Sequence, residues 1–200
     1  MKSLLSFVGW IGIGAVLWAV SSGCSKRPDS SENFLHDSVY VEQGERIVAM
    51  TFDTLRSSLQ YAIAQGNFDG AIAFCREKAY PLTSTYADTF ALRRTALRVR
   101  NPDNRPDSLE LAVLIAMGND LQAARPPQVK IVRTNNEIHF FKPIILQAMC
   151  LNCHGIPGQQ IADRTLSRIR QLYPADRAVN FKEGDLRGAW HIIFARSKQK

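Results

Sequence analysis

The sequence predicts an α+β fold, with helices in the first half and an antiparallel sheet in the second. Apolar residues in the first half recur at spacings of three and four, as they do on one face of a helix. The second half instead carries short runs rich in β-branched and aromatic residues, separated by turn-forming residues. With 200 residues, the chain is long enough for one domain with its own core.

The first predicted element is a long helix over residues 41–65, since its apolar residues form one stripe that Gly66-Asn67 interrupts. We interpret this stripe as facing the core; its members are Val48, Phe52, Leu55, Leu59 and Ala62. A second helix is predicted from Asp69, a suitable N-cap, to Tyr80. One face of it carries Ala71, Ile72, Cys75 and Ala79. The thiol of Cys75 should therefore point inward.

The remaining predicted elements are short strands and helices. Strands are expected where β-branched and aromatic residues cluster, at 95–99, 129–133, 138–142 and 188–196. The middle two flank the turn pair Asn135-Asn136 and should form a hairpin. Helices are predicted over 107–117 and 161–172, and Tyr173-Pro174 ends the second of them.

The N-terminus has the pattern of an export signal, with Lys2, an apolar run over 4–20 and small residues before Cys24. These small residues resemble a bacterial lipobox, which implies lipidation of Cys24 after cleavage. An uncleaved membrane anchor is the alternative. We therefore expect a signal peptide over 1–23, a polar tether over 24–40 and one domain over 41–200. Both alternatives place the domain at a membrane, and we expect the periplasmic side of a bacterial one.

Cys150, Cys153 and His154 form a C-x-x-C-H pentad, the attachment pattern of a c-type haem. The two thiols are spaced to bond the two vinyl groups of one porphyrin, and the histidine is placed to ligate the iron. A zinc half-site, a redox dithiol and a chance grouping are the alternatives. A zinc ribbon would need a second C-x-x-C, which the chain lacks. The dithiol is disfavoured because the pentad runs into Gly155, Pro157 and Gly158, which break helices. We predict one covalent haem c, and its attachment outside the cytoplasm agrees with the export signal.

Cys75 is then the one cysteine without an assigned role, because lipid and haem account for the other three. In an oxidising compartment an exposed free thiol is a liability. One interpretation makes Cys75 a small buried apolar residue. The other makes its thiolate the sixth ligand of the iron, opposite His154. The residues themselves do not favour either interpretation.

The formal net charge of +7 indicates a basic surface, with a sequence pI near 9.5. Such a surface favours anionic lipid headgroups or an acidic redox partner. We do not expect a nucleic-acid partner in the exported compartment.

Four ordered blocks of the sequence resemble the PAS-like, single-haem c-type family with Cys/His axial ligation. The blocks span 94–107, 142–144 leading to 150–155, 173–178, and 181–189. The resemblance implies a PAS-like antiparallel sheet flanked by a long N-terminal helix and shorter helices. It also implies axial ligation by Cys75 and His154, because the family cysteine lies in the second helix. Ala96 and Arg105 depart from the family pattern, which expects serine and a small residue there.

Other residues are weaker candidates for the sixth ligand. His139 and His191 fall in predicted strands, where a histidine is usually a half-exposed sheet residue. His36 lies in the predicted tether, and Met117 and Met149 are interpreted as core residues. The carboxylates of a haem need cationic partners, and we expect at least one from Arg94, Arg98, Arg100 and Arg187.

The predicted function is electron transfer or redox and gas sensing by an exported, membrane-tethered haem protein. Cysteine and histidine would fill both axial positions and favour ferric iron. A sensor would need a separate signalling partner, since the chain carries no kinase, cyclase or methyl-accepting segment. A peroxidase-type enzyme is the alternative, but no catalytic constellation is visible, so we do not expect an enzyme.

Overall fold

The computed structural model describes residues 30–83, 85–87 and 90–195. Side chains are described over 37–79, 81–82 and 90–195. The predicted signal peptide, the lipidation site Cys24 and residues 24–29 of the predicted tether lie outside these ranges. Within them, no helix combines the length and the apolar character that crossing a membrane requires.

Helix α1 spans Ser30–Phe74 and begins well before the predicted start at residue 41. Much of the segment expected to be a polar tether is therefore helical. The predicted break is confirmed, since Gly66 (φ −135°, ψ 17°) and Asn67 (φ 56°, ψ −158°) leave helical geometry. Asparagine tolerates the positive φ that the kink requires. The second predicted helix follows the kink and ends in a π-helical turn, Cys75–Ala79, and a short helix α2, Tyr80–Thr83.

In the described part of the chain, five antiparallel strands form one sheet in the order β1-β2-β5-β4-β3. Their bounds are Thr85–Ala87, Phe90–Thr95, Lys130–Arg133, Glu137–Ile145 and Leu186–Ala195 for β1 to β5. The predicted α+β class is confirmed. The predicted hairpin is confirmed as well, and its two strands are β3 and β4. The sheet's PAS-like character stays a prediction.

The predicted strand over 95–99 is wrong. The strand in this region is β2, which ends at Thr95. Ala96 already belongs to a loop, where its backbone N–H donates to the Asn104 carbonyl at 3.1 Å. The loop forms because Asn101 caps a 3-10 turn, Pro102–Asn104, by accepting from the Asp103 N–H. Local turn chemistry outweighs the strand-like composition of the preceding residues.

Helix α3 spans Ser108–Gln122 and packs on one face of the sheet. It begins with a capping box in which Asp107 accepts from the Glu110 N–H and Glu110 accepts from the Asp107 N–H. Helix α1 packs on the other face, through a core that includes Val48, Phe140 and Ile192. Helix α5, Asp163–Leu172, packs against the end of α1. Two short turns, Ala148–Cys150 and helix α4 (Leu151–His154), carry the pentad.

The contact between α1 and the sheet is tight at Gly44. An added Cβ there would lie 2.5 Å from the buried ring of Phe140. We expect Gly44→Ala to cost up to about 2 kcal/mol in the free energy of unfolding, because overpacking costs about 1–3 kcal/mol and the helix-propensity gain offsets only about 1 kcal/mol of it. Gly118→Ala in α3 is the matched control, since nothing lies within 4 Å of its added Cβ. Urea unfolding should show the control unchanged or stabilised; equal effects would contradict the packing argument.

Candidate functional site

A cavity of about 300 Å³ lies on the α1 face of the sheet, between α1, the ends of β2, β4 and β5, and the pentad. This volume is in the range of small-molecule and cofactor sites. The predicted α1 stripe divides here: Val48 packs in the sheet core, Leu55 contacts that core and also lines the cavity, and Phe52 and Leu59 line the cavity. The interpretation of this stripe as core alone is thus wrong, because the sheet ends before the helix does.

Cys150, Cys153 and His154 all line this cavity. Cys150 closes the 3-10 turn with helical angles (φ −70°, ψ −23°) and the other two lie in α4. In a helical segment the positions i, i+3 and i+4 face the same side, so the spacing directs all three side chains into one space. Gly155 ends the turn, and an added Cβ there would lie 2.7 Å from the Leu151 carbonyl oxygen. The glycine thus permits the close return of the chain after the histidine.

The imidazole of His154 has its tautomer set by the backbone. Its Nδ1 lies 2.7 Å from the Ala178 carbonyl oxygen, which only accepts, so Nδ1 carries the proton. Burial lowers the pKa of His154 well below its usual value, and the nearby Arg187 and Arg100 lower it further. The ring is therefore neutral, with an unprotonated Nε2. This is the form of histidine that ligates a metal, and a carbonyl partner at the other nitrogen is common for such ligands.

Arg100 ties the pentad to the segment that orients His154. Its Nη2 donates to the Cys153 carbonyl at 2.6 Å and to the Ala178 carbonyl at 3.3 Å. The same nitrogen pairs with Asp176 Oδ2 at 3.1 Å in a mostly buried ion pair. Asp176 in turn accepts from the Ala178 N–H at 2.8 Å. These contacts fix the position of the Ala178 carbonyl and thereby the orientation of the imidazole.

Cys75 lines the same cavity, from the opening residue of the π-helical turn. Single π turns within helices are frequent at functional sites. The thiol is half-buried, and burial raises its pKa, while the charges of Arg94 and Arg100 lower it. The structure therefore brings the four predicted cofactor residues, Cys75, Cys150, Cys153 and His154, to one cavity. Among the described residues, the three cysteines are free thiols and no disulfide forms.

The cavity is positively charged. Arg94, Arg100 and Arg187 line it, and its described lining contains no carboxylate. Burial, together with the charges of Arg100 and Arg94, lowers the pKa of Arg187 to about 9. The Nε of Arg100, a residue of the cavity lining, is buried without a hydrogen-bond partner. Such atoms are rare in folded proteins and call for an acceptor, which a bound anionic group would supply.

The other predicted ligand candidates are distributed differently. His139 and His191 face α3, on the opposite side of the sheet, and are buried rather than half-exposed, which corrects that expectation. Met117 is a core residue, as expected. Met149 is half-exposed and lines the cavity, so its interpretation as a core residue is wrong. The side chain of His36 lies outside the described residues.

Tyr173 is a cavity residue that sequence reasoning missed. It was expected only to end α5, which it does as the C-cap. Burial raises the pKa of Tyr173 to about 12, and the nearby Cys75 raises it too, so the phenol is neutral. Within the described ranges, no three His, Cys, Asp or Glu side chains are grouped so that they could hold a metal ion by themselves.

Comparison with known proteins identifies the family. The family model described as Tll0287-like matches residues 38–195. A solved structure, titled as the crystal structure of the cyanobacterial heme-protein Tll0287, is similar with a TM-score of 0.52 and 23% sequence identity. The match covers 80% of this chain and 98% of that one, and it shows that the two proteins share a fold. No curated protein matches this chain. Because the family model spans most of the chain, the protein belongs to the Tll0287-like family.

Proposed function

We propose that this chain is a c-type haem protein that acts in electron transfer or in redox and gas sensing. The observation that carries the proposal is that Cys75, Cys150, Cys153 and His154 line one cavity. Cys150 and Cys153 would bind one haem covalently, and His154 and Cys75 would be its axial ligands. A solved protein of the same fold is described as a heme-protein, which supports the proposal.

The cavity suits a haem in three further respects. A porphyrin is a flat apolar ring, and α1 supplies apolar walls through Phe52, Leu55 and Leu59. Its two propionates are anionic, and the wall supplies guanidinium groups, among them that of Arg100 with its unpaired Nε. The iron is supplied by the cofactor, so no protein cluster of metal ligands is required.

Two axial ligands from the protein favour electron transfer or sensing over catalysis. A peroxidase-type enzyme needs an open iron position and a distal acid-base group. Within the described lining of the cavity, His154 is the one histidine, and Cys75 is available for the second axial position. In a sensor, Cys75 would leave the second axial position of the iron, either because a diatomic gas displaces it or because the iron is reduced.

Optical and electron-spin spectra of the purified protein test the proposal, in the oxidised and the reduced state, with and without carbon monoxide. A low-spin, six-coordinate haem in both states that does not bind the gas supports electron transfer. Loss of the thiolate signature on reduction, with binding of carbon monoxide, supports sensing. High-spin ferric iron would support the enzyme alternative, and a protein without haem would overturn the proposal.

The proposal includes export and a lipid anchor at Cys24, which Ser22-Gly23-Cys24 motivates. We expect Cys24→Ser to abolish labelling by a fatty-acid analogue and to move the protein from the membrane fraction to the soluble periplasmic fraction. Two acyl chains anchor a protein stably, whereas one binds only marginally. Labelling that persists in Cys24→Ser would contradict this site.

A further inference from the structure

A buried chain of hydrogen bonds lies on the face of the sheet opposite the cavity. His191 Nδ1 lies 2.6 Å from Glu110 Oε1, and His191 Nε2 lies 3.0 Å from His139 Nδ1. Glu110, His191 and His139 are at most 5% exposed. Phe141 stacks on the His191 ring at a centroid distance of 4.1 Å and shields it from solvent. Three ionisable side chains are thus sequestered in a core that is otherwise apolar.

The chain of hydrogen bonds has one unsatisfied end. His139 Nε2 is buried without a hydrogen-bond partner. It lies 3.4 Å from Glu137 Oε2, and Glu137 is half-exposed to solvent. A buried nitrogen without a partner costs about 1–3 kcal/mol, so a protonation state that satisfies it is favoured.

Proton counting distinguishes two states of this chain. Burial raises the pKa of Glu110, but its hydrogen bonds from His191 and Asp107 and the charge of Arg93 lower it, with a net lowering. An ionised Glu110 only accepts, so His191 Nδ1 carries a proton. If both rings are neutral, His139 donates through Nδ1 to His191 Nε2, which leaves His139 Nε2 bare. One added proton removes this defect: both His191 nitrogens then donate, and His139 donates through Nε2 towards Glu137.

We propose that Glu110, His191 and His139 form a buried proton-binding site that takes up one proton from solvent at the Glu137 end. A new N–H bond forms at His139 Nε2, the N–H bond at His139 Nδ1 breaks, and that proton bonds to His191 Nε2. The positive charge comes to rest on His191, beside the Glu110 carboxylate. The balance is one solvent proton gained and no other change.

The surrounding charges agree with uptake of a single proton. From β2, Arg93 Nη1 lies 3.4 Å from Glu110 Oε2 and opposes a second positive charge. Three carboxylates also face the site: Asp107 and Glu110 at the start of α3 and Glu137 in β4. Asp120 and Lys130 are farther along α3 and β3 and form a salt bridge with each other. Burial lowers the pKa of His139, and His191 lowers it further. His139 therefore stays neutral when His191 is charged.

The test is a tautomer measurement by NMR on the full-length protein with isotope-labelled histidine, from about pH 5 to about pH 9, which brackets the ordinary histidine pKa. We expect both rings to change at one shared midpoint, because a single macroscopic protonation step belongs to the coupled pair and not to either ring. On the basic side His139 should carry its proton at Nδ1, and on the acid side at Nε2. A His139 ring that keeps one tautomer throughout, or two separate midpoints, would overturn the proposal.

Substitutions at the two ends of the chain sharpen this test. Glu110→Gln should abolish the shared titration in this pH range, because the ionised acceptor is lost. Should that variant not fold, the exposed Glu137→Ala still tests the proposal: we expect about threefold weaker proton affinity, which is the worth of one surface charge. Glu42→Ala, an exposed carboxylate on α1 paired with Arg46, is the matched control and should not move the midpoint. Equal shifts of the titration midpoint in Glu137→Ala and Glu42→Ala would also overturn the proposal.

Discussion

Replacement of both Cys150 and Cys153 by alanine is expected to abolish covalent haem attachment completely. Both thiols line one cavity at helical spacing and are free of disulfides, so each is available for a thioether bond. Without them, His154 and the cavity walls would hold a haem only reversibly. The measurement is retention of haem after acid extraction, read on a denaturing gel stained for haem peroxidase activity.

The matched control for this experiment is Cys75→Ala. Cys75 lines the same cavity and is similarly half-buried, so it tests whether the loss of any thiol from this cavity disturbs attachment. The control should keep full staining, because Cys75 lies outside the pentad. Staining that survives in the double variant would contradict covalent attachment at Cys150 and Cys153.

The sequence predicts those parts of the site that depend on local spacing. The pentad is one such case, since positions i, i+3 and i+4 share a side of any helical turn. The kink at Gly66-Asn67 is another, because the backbone preferences of these two residues act locally. The β3-β4 hairpin is fixed by its own turn. In each case the determining residues lie within one element.

Features that depend on contacts between distant elements could not be predicted from spacing. The cavity exists because α1 extends past the sheet, and no pattern in 41–65 shows where the sheet ends. Tyr173 reaches the cavity only because α5 packs on the end of α1. The link from Glu110 to His191 joins residues that are 81 positions apart. Strand periodicity could have shown that His139 shares a face with Phe141, but not that His191 joins them from β5 or that α3 supplies the acceptor.

Cys75→Ala is expected to raise the midpoint potential of the bound haem by about 100 mV or more, as exchange of an axial ligand typically does within a span of roughly 0.8 V. A thiolate ligand is anionic, and at the iron it would stabilise Fe(III) over Fe(II) by offsetting the larger positive charge. Removal of the thiolate therefore destabilises the oxidised state, by about 2.3 kcal/mol for a shift of about 100 mV. Redox titration measures the potential, and electron-spin spectra should lose the thiolate signature as ferric iron becomes high-spin or binds water.

Met149→Leu is the matched control for this last prediction. Besides Cys75, Met149 is the one candidate for the sixth ligand that lines the cavity, among the candidates whose side chains are described. If Cys75 is the ligand, Met149→Leu should leave the potential and the low-spin spectrum unchanged, because it alters only a half-exposed thioether. If instead Cys75→Ala keeps both properties and Met149→Leu changes them, Met149 is the sixth ligand. His139, His191 and Met117 cannot take that place without a change of fold, because the two histidines face α3 across the sheet and Met117 lies within the core beneath α3.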